Sequence, residues 1–172
     1  MNVLSVYPDL SDLKSFHFWR PRNCATIELS SGKKLAIRRN STHGFTLYRG
    51  DDVWLESRTD SVFFHRAGEI WINNTAFADW HGSFWNYEHV EVTQENHHYT
   101  LIRRRASGFF KRGRPFDVVD SDSARLGKIT IEEGPFKSAR TCGEYGDPDN
   151  VWLIAFLATY FYLFCLTDYA NS

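Results

Sequence analysis

A closed antiparallel β-barrel of about twelve strands, wrapped around one C-terminal hydrophobic helix, is the fold this sequence predicts. Three observations point there. The chain of 172 residues is 16% aromatic, with 6 Trp, 8 Tyr and 14 Phe against 1 Met and 5 Pro, and aromatic side chains favour strands. Through the middle of the chain, apolar and polar residues alternate at the period of a half-buried strand, and clusters of turn formers interrupt them. Near the C-terminus the alternation stops, and the run from Val151 to Leu166 would be apolar on every side of a helix.

The hairpins follow in chain order. Ile27 and Leu29, then Leu35 and Ile37, flank Ser30-Ser31-Gly32-Lys33. Phe45 and Leu47, then Val53 and Leu55, flank Arg49-Gly50-Asp51-Asp52. Val62 and Phe64, then Ile70 and Ile72, flank Arg66-Ala67-Gly68, which predicts a turn at those three residues. Phe116 and Val118, then Leu126, Ile129 and Ile131, flank Asp120-Ser121-Asp122-Ser123. Each unit reads as strand, polar turn, strand, with one buried face and one wet face. Phe84 to Thr93 and His97 to Arg105 predict strands on either side of Gln94-Glu95-Asn96, and Thr75 to Trp80 and Gly134 to Thr141 complete the set. The total is roughly eleven to twelve strands at the short spacing of a sandwich or barrel. No Gly-, Ser- or Pro-rich linker divides the chain, so residues 1–172 are expected to form one domain, long enough for its own core.

The terminal run predicts a helix near Asn150–Thr167. Asp147, Pro148, Asp149 and Asn150 precede it, and such residues cap a helix and suit the positive end of its dipole. A helix apolar all round lies either in lipid or in a protein core. As a membrane anchor it falls slightly short of the ~20 residues a span needs, and Asp149 and Asp168, rather than Lys or Arg, sit at its ends. As a barrel plug it fits better. A barrel wider than about eight strands needs something to fill it, and a helix of this length reaches about 25 Å. The expectation is therefore a core helix inside the barrel.

Charge and cysteine content narrow the function classes. There are 20 Lys and Arg against 21 Asp and Glu, a net charge of −1. Binding to nucleic acid through overall positive charge is disfavoured, and no RNA-binding motif accompanies the basic residues. Cys24, Cys142 and Cys165 form neither a disulfide framework nor a CxxC metal motif. Met1 to Leu13 has no basic n-region and no long apolar stretch, so it does not read as a secretory signal. A cytoplasmic setting is expected, with at most peripheral contact at the inner face of a membrane.

The order of elements, together with Tyr99-Thr-Leu-Ile-Arg-Arg, Phe116-Asp-Val-Val-Asp and Leu126-Gly-Lys-Ile, resembles the tubby C-terminal-like superfamily. That group joins tubby proteins, phospholipid scramblases, the plant LURP-one-related proteins and many small bacterial relatives. With the terminal helix, the likeness covers roughly the last half of the chain; the first half shares only the hairpin rhythm. The resemblance implies a barrel around a central helix and a role at membrane lipids. The chain departs from the group's functional motifs. It has no palmitoylated cysteine cluster, no Pro-rich N-terminal tail of the scramblase kind, and no residue-by-residue match to the tubby phosphoinositide pocket.

The sharpest local feature is the segment from Arg103 to Arg114. Arg103, Arg104, Arg105, Lys111, Arg112 and Arg114 surround Phe109 and Phe110, and Gly108 and Gly113 allow a turn. Six cations within so short a segment cannot be buried together without anionic partners, so a solvent-facing hairpin tip is expected between a strand from His97 and one beginning near Pro115. Basic residues beside an anionic membrane contribute about 1 kcal/mol each, and an exposed aromatic can enter the interface. These eight residues are the candidate site for an anionic phospholipid headgroup or an acidic partner. A second candidate is the aromatic segment of Trp71, Phe77, Trp80, Phe84, Trp85 and Tyr87. Trp71, Trp80 and Trp85, if outside, would make an interface of the hot-spot kind. The partner would then be a protein, as for a bacterial immunity protein that neutralises a toxin.

The remaining motifs point to ordinary structure. His97 and His98 are adjacent and face opposite sides of a strand, and His81 and His89 would meet only through the fold, so no metal is expected. Asp117, Asp120 and Asp122 with Ser121 and Ser123 lack the glycine and terminal Glu of a calcium loop and read as turn residues. There is no GxSxG, no HExxH and no glycine-rich phosphate loop. A non-enzymatic binding module without a cofactor is the expectation.

Overall fold

The fold was analysed in a computed structural model, which describes residues 2–8, 24–41, 44–59, 65–83, 88–104, 113–133 and 139–165. Twelve antiparallel strands close into one barrel, each paired with its sequence neighbours. In order they are β1 (Asn2–Pro8), β2 (Cys24–Leu29), β3 (Lys34–Arg39), β4 (Phe45–Arg49), β5 (Asp52–Thr59), β6 (His65–Ile72), β7 (Thr75–Ser83), β8 (Val90–Gln94), β9 (His97–Arg103), β10 (Gly113–Val119), β11 (Arg125–Glu133) and β12 (Ala139–Tyr145). The ring closes where β1 pairs with β12, from Asn2 opposite Tyr145 to Val6 opposite Thr141.

The alternation of the sequence becomes the two faces of the wall. Leu35 and Ile37, Leu47 and Leu55, Val90 and Val92, and Ile129 and Ile131 all point inward and are buried. They close on helix α1 (Val151–Tyr160), which follows a 3-10 turn at Pro148–Asn150 and runs on into a π-turn at Phe161–Cys165. Asp147 caps this entry, its side chain accepting a hydrogen bond from the Asp149 backbone N–H at 3.0 Å; Asn150 makes no side-chain cap. From Trp152 to Tyr160 every helical residue is buried. Phe45 stacks on Phe156 with ring centres 5.7 Å apart, Trp80 meets Tyr160 edge-on at 5.4 Å, and Phe116 stacks on Phe161 at 5.0 Å. The helix is thus the core of the barrel. No helix among the described residues is long and apolar enough to cross a membrane.

The structure departs from the sequence reading in three places. Asn2–Pro8, read only as lacking a signal peptide, is a strand, and Leu4 and Val6 are fully buried. Arg66-Ala67-Gly68 is not a turn but lies within β6, paired with β7 at Gly82, His81 and Trp80. Gly68 looked like a turn former, yet it is there because the barrel leaves no room for a Cβ, which would collide with the Arg58 carbonyl oxygen and come 2.8 Å from Trp80 Nε1. The real turn is Asn73-Asn74, with φ of 50° and 63°, the two-residue geometry that matches the twist of a hairpin. Finally, β12 runs on to Tyr145, past the expected end at Thr141, because its inward positions include Thr141 and Gly143 and carry little apolar signal; residues 134–138 of the expected strand lie outside the described residues.

Candidate functional site

Antiparallel order sends successive connections to opposite rims of the barrel. One rim carries residues 30–33, 50–51, 73–74, 95–96, 120–124 and 146–147. These short turns hold no aromatic residue and one Lys against five Asp or Glu. The other rim anchors residues 9–23, 40–44, 60–64, 84–89, 104–112 and 134–138. Their sequences hold eleven of the aromatic residues and eight Lys or Arg against four Asp or Glu. Long connections on a rigid scaffold are where binding residues concentrate.

β9 reaches this second rim at Arg103, and β10 leaves it at Gly113. The ladder continues one step past β9, the Arg104 N–H donating to the Pro115 carbonyl at 2.9 Å. Register then sorts the arginines by side. Arg103 pairs with the inward-facing Phe116, and Arg114 shares the parity of Phe116, so both stand at the barrel mouth. There they grip one carboxylate. Arg103 Nη1 lies 3.1 Å from Glu88 Oε2, and Arg114 Nη1 lies 2.6 Å from Glu88 Oε1. Arg104 and Asp117 take the outward parity and form a second cluster. Arg104 Nε lies 2.6 Å from Asp117 Oδ2, and Arg125 Nε lies 3.3 Å from Asp117 Oδ1. Each carboxylate is thus held between two guanidiniums, one per oxygen. Four arginines share two carboxylates, and Arg103, Arg104 and Arg125 are all more than half exposed.

Of the predicted site, Arg103 and Arg114 are therefore brought together on Glu88 and Arg104 is set apart on Asp117, while Arg105, Phe109, Phe110, Lys111 and Arg112 lie outside the described residues. The sequence reading missed Glu88, Asp117 and Arg125. Asp117 was legible in principle: it sits on the polar side of the Phe116–Val118 alternation, where a hairpin sets it near Arg104. Glu88 lies just ahead of β8, and the β8–β9 register, Glu91 opposite Thr100 and Gln94 opposite His97, carries that end of the hairpin to Arg103; its meeting with Arg114 depends on β10 lying on the far side of β9.

The tryptophans separate. Trp80 is a core residue, 2% exposed, and its assignment as a surface contact is corrected: its position on β7 faces inward, where it packs on Phe156 and Tyr160. Trp71 is half-buried on the outer wall, its Nε1 donating to Glu69 at 2.7 Å beneath the Arg58 guanidinium, 3.8 Å from the ring centre. Trp85 lies outside the described residues. Two more arginine–aromatic stacks share this outer wall, Arg38 on Tyr48 and Arg49 on Trp54.

The other polar clusters are of different character. His81 and His89 do meet, one on each oxygen of Glu91 at 3.5 and 3.6 Å. Among the described residues no group of three His, Cys, Asp or Glu side chains is arranged to hold a metal ion. A shallow cavity of ≈ 320 Å³ over β6 to β8 is lined by Glu69, Asp79, His81 and Thr93, a poor setting for an anion. Asp120 Oδ1 accepts from the Asp122 and Ala124 N–H groups and so builds its own turn. Burial, then Asp120, pushes the Tyr99 phenol up, and hydrogen bonds to Glu132 and then to Tyr7 raise Arg140.

Comparison with protein-family models, with curated proteins and with solved structures finds no match to this chain.

Proposed function

We propose that this chain is a non-enzymatic binding module that recognises the anionic headgroups of membrane phospholipids through the arginine-rich rim at β9 and β10, acting as a peripheral protein at the inner membrane face. The observation that carries the reading is the sharing of two carboxylates by four arginines at the start of the basic connection. Arg103, Arg104 and Arg125 each keep more than half of their side chain exposed there, in a chain whose net charge is −1. Such a concentration attracts an anionic surface, with about 1 kcal/mol per basic residue near it. The resemblance to the tubby and scramblase group supports the same ligand class. The test is co-sedimentation with phosphatidylcholine vesicles with and without anionic lipid. The expected result is binding only to the anionic vesicles, weakened by raised salt. Charge reversal at Arg104, Arg105, Lys111 and Arg112 is expected to abolish it. Equal binding to both vesicle types, or none to either, overturns the reading.

A protein partner is the second reading, in the manner of a bacterial immunity protein bound to its toxin. It is favoured by the outer wall of β3 to β6, where Tyr48, Trp54 and Trp71 each lie under an arginine, the residue types that dominate interface hot spots. Tight one-to-one binding to a protein, lost in Trp71→Ala and untouched by the charge reversals, would replace the lipid reading with this one.

A further inference from the structure

We infer that the outer wall of β9 to β11 is the seat of the headgroup phosphate: Arg104 and Arg125, both fixed by Asp117, present their outer guanidinium nitrogens to it, Lys128 adds a third cation, and Ile102 meets the membrane interface beside them. This rests on the anionic-lipid reading above and deepens it by placing the phosphate on the barrel wall rather than within the basic connection.

Register builds this face. Asp117 stands opposite Ile102 on β9 and opposite Lys128 on β11, so the three share the outward side. Arg125 joins them through a bulge. By the parity of the inward Gly127 and Ile129 it would point into the barrel. Leu126, however, is an extra residue, since Val118 lies opposite Gly127 and Val119 opposite Arg125, and Arg125 turns out to Asp117 Oδ1 at 3.3 Å. Bulges that re-aim a side chain in this way are common beside sites. Arg104 takes the other oxygen at 2.6 Å. Both arginines reach the carboxylate through Nε, and a guanidinium held there still carries its two Nη groups, donors that suit phosphate oxygens. The Asp117 side chain is 8% exposed, while those of Arg104 and Arg125 are 60% and 51% exposed. The anchor is thus buried in the wall and the donors stand in solvent. Ile102, 42% exposed, is one of the few large apolar side chains at the surface among the described residues. Cations around an exposed aliphatic side chain suit an anionic bilayer, whose headgroups meet the charges and whose interface takes the apolar group. Glu144, opposite Lys128 on β12, bounds the face on its far side.

The experiment uses the full chain and two probes: phosphatidylcholine vesicles containing phosphatidic acid, by co-sedimentation, and inorganic phosphate, by calorimetric titration. Arg125→Gln is expected to weaken vesicle binding about tenfold, the scale of one charged hydrogen-bonded contact. Arg125→Lys keeps the charge without the planar fork and is expected to recover only part of that loss. Asp117→Asn separates a built seat from general attraction. It makes the chain more positive, so attraction alone would tighten binding, whereas losing the group that fixes both guanidiniums is expected to weaken it. Should Asp117→Asn fail to fold, the two Arg125 variants carry the test. Ile102→Ser is expected to weaken vesicle binding several-fold, and Lys34→Gln, exposed on β3, to leave it unchanged. Binding of inorganic phosphate without binding to the vesicles would give the seat to a soluble phosphate and overturn the membrane assignment. If wild type binds the vesicles, charge reversal at Arg105, Lys111 and Arg112 abolishes that binding, and the Arg125 and Asp117 variants bind as wild type does, the inference fails while the anionic-lipid reading stands. If wild type binds neither probe, both fall together.

Discussion

Gly143 faces the barrel interior, and a Cβ there would stand 2.5 Å from Ile154 Cγ2 and 3.1 Å from Leu4 Cδ1. Gly127, on the neighbouring strand, meets the same Ile154, 2.6 Å from its Cδ1. These two glycines form the hollow in which α1 rests against β11 and β12, and they show how tightly one residue sets the helix in its barrel. Overfilling such a contact costs about 1–3 kcal/mol. Gly143→Ala is expected to lower stability by that amount in denaturant unfolding. In an Ile154→Ala background, where the opposing methyl is gone, most of the cost should vanish, giving clear non-additivity in the double-mutant cycle. Strict additivity would show that the contact does not constrain the helix.

The terminal helix is the element on which the barrel depends. Its residues contact the wall on several sides: Ile154 toward β11, β12 and β1, Phe156 and Tyr160 toward β4 and β7, Phe161 toward β10. No other described element could fill that space, and an unfilled apolar interior is costly in proportion to its volume. Leu157, 2% exposed, tests the position most directly. Leu157→Asp would bury an unpaired carboxylate at a cost of several kcal/mol, and a chain cut before Val151 would lose the core altogether. Both are expected to abolish cooperative unfolding by circular dichroism and to shift the protein into the insoluble fraction. A soluble, cooperatively folded truncation would show that the wall stands without its plug.

At the scale of the whole molecule, closure joins the two ends of the chain. β1 lies between β2 and β12, so the first strand seals a sheet whose other members come later in sequence. Loop entropy must be overcome before that pairing stabilises anything, which makes such topologies slow to fold. Removing residues 1–8 would open the ring and expose the ladder groups of β2 and β12 as unpaired edges, the situation that invites edge-to-edge association. The truncated protein is therefore expected to elute from size-exclusion chromatography as larger species than the full chain, or to aggregate. The same closure polarises the molecule, with acidic short turns at one rim and the basic, aromatic-rich connections at the other.

Local pattern determined a great deal here. Period-two alternation marked β2 to β5 and β8 to β11, because a strand with one wet face must write its burial into every second residue. The all-apolar run from Val151 marked the core helix, because no surface position exists for it. What local pattern could not reveal was set by neighbours distant in sequence. Asn2–Pro8 is a strand because β12 and β2 flank it. Gly68 is a strand residue because the Arg58 carbonyl and Trp80 crowd its inner face. The candidate site divides the same way. The clustering of Arg103, Arg104 and Arg114 was visible in the sequence as charge density. That Glu88 and Asp117 each stand between two arginines was decided by strand register and by the arc of the barrel, since ion pairs form between side chains that the backbone brings within about 4 Å, whatever their separation along the chain.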